Sequence, residues 1–335
     1  MKPFTLPTGN AICYSGYRHG QSPSSQVYPS VDEISQDLHI LQKNWSLLRL
    51  YDCSLHAQRV LEIIQSEALP FRVMLGANLA AEVNNPGCPW GSPLAPEQLQ
   101  ANQRENAAEM ARLIALANRY PDIVFCASVG NEATVDWTDH LVPVLQVIHY
   151  VRQIKRAIQQ PVTFCENYVP WQGKLRDLVP ELDFISLHTY PLWEYQHVQD
   201  AVAYSQANYN SVAQLYPGTP VVITEAGWAT RSNGRGMHAE AASPEWQGHY
   251  YHELMAWSQA AGILTFVFEA FDEPWKGSAD PLEPEKHWGL FTVDRQPKRV
   301  MQEIYRDPMP TAAPNAAPNA APNAAPTAAP TAAYG

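Results

Sequence analysis

Two glutamates lie where apolar, strand-like segments give way to polar loops. Glu132 follows one such segment, and Glu225 ends another, far along the chain. Two facing carboxyl groups can cleave a glycosidic bond, because a protonated one donates to the leaving oxygen while an ionised one attacks or stabilises the anomeric carbon. Repulsion between them raises one pKa, so two glutamates can take opposite roles. Taken singly, each could instead be structural, paired with an arginine; together they predict a catalytic pair.

The residues just before Glu132 raise a geometric requirement. Asn131 adjoins Glu132, and successive residues of a strand face opposite sides. Both side chains can therefore reach one site only if the strand has ended or bulges there. Gly130 makes such a bend easy, because glycine adopts backbone conformations that other residues avoid.

The elements that must position these residues are short β-rich segments alternating with helical patterns through residues 1–307. Nearly continuous apolar runs are typical of parallel strands buried on both faces. Eight β/α units in a chain of this length predict an α/β fold, the (β/α)₈ TIM barrel, whose active site lies at the carboxyl ends of the strands. The predicted strands are 11–14, 47–52, 71–78, 123–129, 161–166, 184–188, 221–225 and 264–269.

A doubly wound open sheet is the alternative fold. It would usually carry a glycine-rich phosphate-binding turn after its first strand. Residues 15–20 of this chain, which follow the first predicted strand, lack the GxGxxG spacing. The pattern therefore favours the barrel.

The helical stretches carry start signals and packing faces. Ser30 and Glu33 are spaced as a capping box, and Ser243 precedes a proline suited to a first helical turn. Two apolar stripes at helical spacing indicate faces that pack on the barrel. They are Val31, Ile34, Leu38, Leu41 and Trp45, and then Ala107, Met110, Ile114 and Ala117.

The composition changes after Asp307 to proline, alanine, asparagine and threonine with a four-residue repeat. An uncharged segment of this kind cannot bury a core, and its prolines favour an extended form. We therefore divide the chain into a barrel domain, residues 1–307, and a disordered tail or linker, residues 308–335.

The overall composition limits the possible partners. Lys and Arg number 22 and Asp and Glu number 33, so the net charge is −11. An acidic surface repels phosphate backbones and anionic lipid, and no apolar run approaches the roughly 18 residues of a membrane span. We therefore expect neither nucleic-acid nor membrane binding. We also expect a monomer. The 10 tryptophans and 16 tyrosines suit a hydroxyl-rich ligand that stacks on aromatic rings, although many protein cores are equally aromatic.

The cell compartment is expected to be the cytoplasm, because the chain as given begins without an apolar leader segment. A leader removed beforehand would instead make the protein periplasmic or extracellular. The five cysteines are odd in number and have no CxxC spacing, so neither a disulfide framework nor a zinc site is expected.

Three motifs carry a resemblance to a known family. Gly130-Asn131-Glu132, Thr224-Glu225-Ala226-Gly227-Trp228 and Phe271-Asp272-Glu273-Pro274-Trp275-Lys276 resemble signatures of family 17 glycoside hydrolases. The segments Ile12-Cys13-Tyr14-Ser15-Gly16 and Leu48-Arg49-Leu50-Tyr51-Asp52 resemble the family's first two strands. The similarity runs in the family's order over roughly residues 9–305, and is greater to the bacterial and fungal branches than to plant endoglucanases. That family comprises retaining β-1,3-glucanases and glucanosyltransferases built on a (β/α)₈ barrel.

The resemblance implies roles for individual residues. Glu132 would be the acid/base, Glu225 the nucleophile, and Asn131 would bond the sugar 2-hydroxyl. Tyr51 and Tyr190 match tyrosines that line the catalytic cleft. A further pair, Glu273 and Lys276, matches residues that support the catalytic carboxylates, although a lysine at this spacing could simply form a surface ion pair.

Other strand-end residues are candidates for binding substrate. Glu166 and Glu269 end the fifth and eighth predicted strands, where they could contact substrate or hold a neighbour. Trp228 and Trp275 follow strand ends and could stack on sugar faces. The similarly placed Trp193 and Trp288 could instead only pack loops.

His188 also lies near the predicted mouth. Metal-dependent barrel hydrolases need a His-x-His on the first strand with further ligands, and this chain lacks that spacing. We therefore expect His188 to be a hydrogen-bonding wall residue, and no metal or organic cofactor.

These observations predict a retaining glycosidase that cleaves β-1,3-glucosidic bonds in β-glucan polysaccharides or oligosaccharides. The two catalytic carboxyl groups should lie about 5–5.5 Å apart, whereas roughly 9 Å would indicate inversion. One alternative is a β-1,3-glucanosyltransferase, in which a sugar rather than water enters. Another is a non-catalytic β-glucan-binding barrel.

Overall fold

The computed structural model describes residues 5–306, which form a closed barrel of eight parallel strands in sequential order. The first strand pairs with the second and the eighth, which closes the barrel. This confirms the predicted fold and all eight predicted strands. They are β1 (Ala11–Cys13), β2 (Leu47–Leu50), β3 (Arg72–Ala77), β4 (Val124–Asn131), β5 (Val162–Asn167), β6 (Ile185–His188), β7 (Val221–Ala226) and β8 (Thr265–Val267).

Seven α-helices follow the first seven strands. They are α1 (Val31–Leu41), α2 (Leu55–Ser66), α3 (Pro96–Arg119), α4 (Val144–Ala157), the single turn α5 (Tyr168–Trp171), α6 (Val198–Ala213) and α7 (Pro244–Ala260). After β8 the described chain instead forms 3₁₀ turns at Pro284–Lys286 and Arg299–Met301. No helix of residues 5–306 combines the length and the apolar character needed to cross a bilayer.

The helix start signals act as expected. The Ser30 side chain accepts from the Glu33 backbone N–H while the Glu33 carboxylate accepts from that of Ser30, which completes the capping box of α1. Ser243 caps α7, with Pro244 in its first turn. The helix α1 ends before Trp45, which packs instead against Phe291.

The buried face of α3 differs from the predicted apolar stripe. Ala107 is exposed, and the face includes the polar residues Asn106 and Glu109. One Glu109 oxygen accepts from the backbone N–H groups of Cys53 and Asn78, which follow β2 and β3. The helix therefore uses buried polar groups to hold the loops at the carboxyl end of the barrel, a role that apolar periodicity does not predict.

A buried charge cluster ties the last described segment to the first helix. Asp37 in α1 accepts hydrogen bonds from Tyr14 (3.1 Å), Arg18 (2.9 Å) and Arg295 (2.7 Å). Arg295 also donates to the carbonyl oxygen of Gly16. The tail predicted for residues 308–335 lies outside the described residues.

Candidate active site

Glu132 lies directly after β4, beyond a break in the strand's pairing. The register of β4 against β5 shifts between Ser128 and Asn131, and Gly130 has φ +110°. This is the bulge that the adjacency of Asn131 and Glu132 requires. The Glu132 side chain is 28% exposed, so it can meet a ligand at the mouth of the barrel.

Glu225 lies in β7 and is almost completely buried, with 4% of its surface exposed. Its Oε1 pairs with the Arg49 guanidinium, and its Oε2 accepts from the Tyr190 hydroxyl at 2.5 Å. Burial opposes ionisation, but the positive charges of His188 and Arg49 and the Tyr190 hydrogen bond lower the pKa of Glu225 to about 2. Glu225 is therefore a carboxylate at neutral pH.

His188 joins the two glutamates. Its Nδ1 lies 2.8 Å from Glu132 Oε1 and 3.3 Å from Glu225 Oε2. Burial disfavours its charge, but Glu225 together with hydrogen bonds to Cys165 and Glu132 raises the pKa of His188 to about 10. The result is a buried imidazolium whose Nδ1 lies between the two glutamate side chains, which agrees with the expected hydrogen-bonding wall residue.

The two carboxyl groups are close together. Ligand atoms of Glu132, His188 and Glu225 all lie within 4.8 Å of one another. Such a set could hold a metal ion. In the present arrangement the charges of His188 and Arg49 already supply the positive potential that an ion would bring.

Arg49 is the central site residue that sequence reasoning missed. Its Nη1 contacts Glu225, and its Nη2 donates to the Asn131 side-chain oxygen. It is 2% exposed, although it belongs to β2, which reads Leu-Leu-Arg-Leu. The sequence did contain a signal for this role, namely a single charged residue within an apolar strand. A buried arginine needs a partner of opposite charge inside the barrel.

The predicted cleft residues Asn131, Tyr51 and Tyr190 all join this network. Tyr51 stacks under the Arg49 guanidinium, whose carbon lies 4.4 Å from the ring centre. Both Asn131 and Tyr51 remain partly exposed at the mouth, whereas Tyr190 is 9% exposed and faces Glu225. Three strands and a bulge thus converge on one carboxylate pair.

A second group lies after β8. Lys276 forms ion pairs with Glu269, at 2.7 Å, and with Glu273, and Trp275 Nε1 donates to Glu273 at 3.0 Å. Burial, together with the charge of Glu273, raises the pKa of Glu269 well above its usual range despite Lys276. Both glutamates are buried, so within this group the partly exposed Trp275 and Lys276 are placed to meet a ligand.

Glu166 does not line the open site as a substrate contact. It is fully buried, and its Oε2 accepts from the Thr134 N–H at 2.9 Å and hydroxyl at 2.6 Å, while its Oε1 accepts from the Asn167 N–H. The expectation that it binds substrate is wrong. Its other expected role, holding a neighbour, fits, because it anchors the loop that follows Glu132.

Trp228 is also not a stacking platform. Its ring is 1% exposed and packs against Tyr250 of α7, with Nε1 bonded to the Ala241 carbonyl oxygen. The expectation of sugar stacking is wrong for this residue, because the chain after β7 turns the ring toward the helix layer. Trp288 is fully buried and packs against Trp193, as the packing alternative predicted.

Comparison with known proteins identifies the family. Residues 11–289 match the BtgE/BtgC glycoside hydrolase domain. This chain belongs to the BtgE/BtgC glycoside hydrolase family. The family 17 glycoside hydrolase resemblance of its motifs is thereby confirmed.

Fungal proteins are among the curated relatives of this BtgE/BtgC glycoside hydrolase. A putative glucan endo-1,3-beta-glucosidase btgC of Aspergillus niger is 24% identical over 298 residues, which are 82% of this chain and 40% of that protein. A glucan 1,3-beta-glucosidase of Arthroderma benhamiae is 32% identical over 132 residues, 38% of each chain. The chain thus spans about two fifths of the length of the curated relatives it matches.

Solved structures of similar fold include an endo-laminarinase from Formosa. It has 27% identity and a TM-score of 0.76, over 89% of this chain and 86% of that one. A glycoside hydrolase family 17 beta-1,3-glucanosyltransferase from Rhizomucor miehei has 24% identity and a TM-score of 0.68, over 87% and 96%. The similarity to the Rhizomucor miehei structure shows a shared fold and nothing further.

Proposed function

We propose that this chain is a retaining glycosidase that cleaves β-1,3-glucosidic bonds in laminarin-type β-glucans by double displacement. The proposal rests on the short distance between Glu132 and Glu225, whose carboxyl oxygens lie within 4.8 Å of each other. The His188 imidazolium lies between the two side chains. Retaining glycosidases hold their carboxyl groups about 5–5.5 Å apart, whereas inverting ones leave about 6.5–9.5 Å for a water molecule. The activity is assigned to the barrel domain, residues 1–307.

Glu225 is the nucleophile. Its low pKa keeps it ionised, and its oxygens are fixed by Arg49, Tyr190 and His188. It forms a bond to the anomeric carbon as the bond from that carbon to the glycosidic oxygen breaks. The charged and polar groups around Glu225 are already in place before the reaction. They therefore need little rearrangement when the negative charge of Glu225 is used to form the new bond.

Glu132 is the acid/base. It is the more exposed of the two carboxyl groups and lies where a leaving oxygen can reach it. It gives its proton to the departing sugar in the first step. In the second step it takes a proton from water, whose oxygen bonds to the anomeric carbon as the ester to Glu225 breaks.

The substrate class is supported by the relatives. The curated fungal proteins are named glucan 1,3-beta-glucosidases, and the Formosa structure is an endo-laminarinase. Asn131, whose side-chain oxygen accepts from Arg49, would bond the sugar 2-hydroxyl. The partly exposed Tyr51, which packs on Arg49, supplies aromatic surface near the carboxylate pair, and the partly exposed Trp275 supplies more in the segment after β8.

The proposal is tested by adding laminarin and a short β-1,3-oligosaccharide to the purified chain, sizing the products, and following the new anomeric proton by NMR. We expect shorter products that form first as the β-anomer. Glu225→Gln should lower turnover by roughly 10³-fold or more while oligosaccharide still binds. The exposed Glu245→Gln serves as the matched control and should behave as the unaltered chain.

Three outcomes would change the assignment. Initial α-anomer would contradict retention. Products longer than the substrate would favour the glucanosyltransferase alternative, in which a sugar hydroxyl replaces water. Binding without turnover in the unaltered chain would indicate a β-glucan-binding barrel.

A further inference from the structure

The backbone of Glu132, the proposed acid/base, is strained. Its φ is +46°, in the left-handed region that residues with a side chain rarely adopt. A conformation of this kind is costly, and it persists only where the surrounding structure holds it. The groups that hold the backbone next to Glu132 therefore determine where its carboxyl group lies.

The peptide group between Asn131 and Glu132 is held at both ends. Its N–H, which belongs to Glu132, donates to the carbonyl oxygen of Cys165 in β5 at 2.9 Å. Its carbonyl oxygen, which belongs to Asn131, lies 3.0 Å from Nε2 of His140. Rotation of this peptide plane would break both contacts. One backbone carbonyl and one side chain thus fix the plane from which the Glu132 side chain departs.

The partners of the His140 ring require both of its nitrogens to be donors. Nδ1 lies 2.8 Å from an Asp139 carboxylate oxygen and 3.1 Å from the Thr138 hydroxyl, and Nε2 faces the Asn131 carbonyl oxygen. A carbonyl oxygen and an ionised carboxylate only accept, whereas a neutral imidazole has a single N–H, so the ring is an imidazolium. Burial opposes this charge, but the hydrogen bonds to Asp139 and Asn131 and the charges of Asp139 and Glu132 raise the pKa of His140.

The backbone that carries His140 is anchored without help from the ring. In the loop after β4, residues 132–143, the Val142 N–H donates to the Ala133 carbonyl oxygen at 2.8 Å, which closes the loop. The His140 side chain is 35% exposed, so it contributes little to the packed core. Loss of the ring should therefore leave the loop in place and release the Asn131 carbonyl oxygen.

We propose that His140 is a positioning residue for the acid/base, whose ring holds the Asn131 carbonyl oxygen and thereby directs the Glu132 carboxyl group at the glycosidic oxygen. The inference rests on the proposed function. His140 acts through the backbone and need not touch substrate. The bulge of β4 allows Asn131 and Glu132 to reach one site, and His140 keeps the peptide group between them in one orientation.

A displaced Glu132 should affect one part of the reaction more than the rest. Its proton is needed by a departing sugar, whose alkoxide is a poor leaving group. A dinitrophenolate is a stable anion and departs without a proton, although Glu225 must attack the anomeric carbon in both cases. Comparing kcat/KM for the two kinds of leaving group therefore separates the position of Glu132 from a general disturbance of the site.

The test compares two substrates in His140→Ala, a β-1,3-pentasaccharide and the dinitrophenyl β-glycoside of a β-1,3-linked disaccharide. We expect kcat/KM for the pentasaccharide to fall about 10–100-fold, the effect of displacing a reacting group by about 1 Å. The value for the dinitrophenyl glycoside should stay within about threefold. His140→Gln, whose side-chain amide can still donate to the Asn131 carbonyl oxygen, should restore most of the loss.

His249→Ala is the matched control. His249 in α7 is 38% exposed and pairs with Glu253 of its own helix, much as His140 pairs with the adjacent Asp139. The control should leave both kcat/KM values unchanged. The inference is overturned if His140→Ala behaves as this control, if it slows both substrates equally, or if His140→Gln restores nothing.

A second variant, His140→Leu, fills more of the space of the ring without supplying a donor, and it should reproduce the result of His140→Ala. Thermal unfolding is measured for every variant. If both apolar variants are unfolded at the assay temperature, His140 holds the fold rather than Glu132, and the inference is overturned. An unaltered chain without turnover on either substrate would contradict the proposed function itself. An active unaltered chain that is indifferent to His140→Ala contradicts this inference alone.

Discussion

At the scale of single residues, the carboxylate Glu225 is surrounded by fixed positive charge. Arg49 reaches it from β2, and His188 from β6. Burial alone would raise the pKa of Glu225, and these two charges reverse the effect. The nucleophile of the proposed reaction is thus maintained by two residues that need not touch substrate.

Replacing Arg49 tests this arrangement through the pH profile. A carboxylate nucleophile loses activity as the pH falls through its pKa, which for Glu225 is about 2. Arg49→Met removes one charge that lowers this pKa, so the acidic limb of kcat/KM should move up by about 1–3 pH units. The measurement is kcat/KM for laminarin across the acidic range.

Arg49→Lys is the control because it keeps the charge while losing the planar guanidinium, so its acidic limb should move less. Thermal unfolding of both variants checks that they remain folded. An acidic limb that stays in place in folded Arg49→Met would show that Arg49 does not set the ionisation of Glu225.

At the scale of elements, the bulge of β4 determines where two site residues point. Gly130 has φ +110°, and a Cβ there would lie 2.8 Å from the Phe164 ring and 2.9 Å from Leu79. Both the backbone conformation and the space exclude a side chain. The bulge therefore depends on this glycine, and Asn131 and Glu132 depend on the bulge.

Gly130→Ala should disturb both stability and catalysis. Backbone strain and overpacking should each cost about 1–3 kcal/mol of unfolding free energy, and the displaced Glu132 should lower kcat at least tenfold. Thermal unfolding and laminarin turnover measure the two effects. Gly173→Ala is the matched control, since a Cβ at Gly173 would meet no atom within 4 Å. Full activity in Gly130→Ala would show that the site tolerates a different β4 end.

At the scale of the whole molecule, the barrel is closed by contacts between distant parts of the chain. The Asp37 cluster joins α1 to Arg295, near the end of the described chain, and all its carboxylate oxygens are hydrogen-bonded. A buried ion pair is weak support for stability as a whole, but removing one partner leaves an unpaired buried charge.

Asp37→Asn should therefore destabilise the fold without altering the chemistry. The expected loss is about 3–5 kcal/mol, equivalent to roughly 10 °C in Tm, with kcat on laminarin retained below the new midpoint. Differential scanning calorimetry and turnover at low temperature provide the two readouts. Glu245→Gln, which breaks the exposed pair with Arg299, should change Tm by little. Equal Tm values for the two variants would refute the structural role of the cluster.

The barrel and the approximate position of its site were predictable from the sequence by itself. Buried parallel strands produce apolar runs, and polar residues at the ends of those runs must lie at one rim of a barrel. Glu132 and Glu225 could be selected in this way because both signals are local. That β4 ends or bulges near Gly130 was predictable for the same reason, since it follows from the adjacency of Asn131 and Glu132.

The tertiary structure alone decided which neighbours surround those carboxylates. From the sequence, Arg49 is only part of a strand, Glu166 is either a substrate contact or a residue that holds a neighbour, and Trp228 is a stacking surface. Their true environments are set by residues from other strands, or by the direction in which a loop turns its side chain. Such contacts join positions that are remote along the chain, so they leave no periodicity or spacing by which the sequence could reveal them.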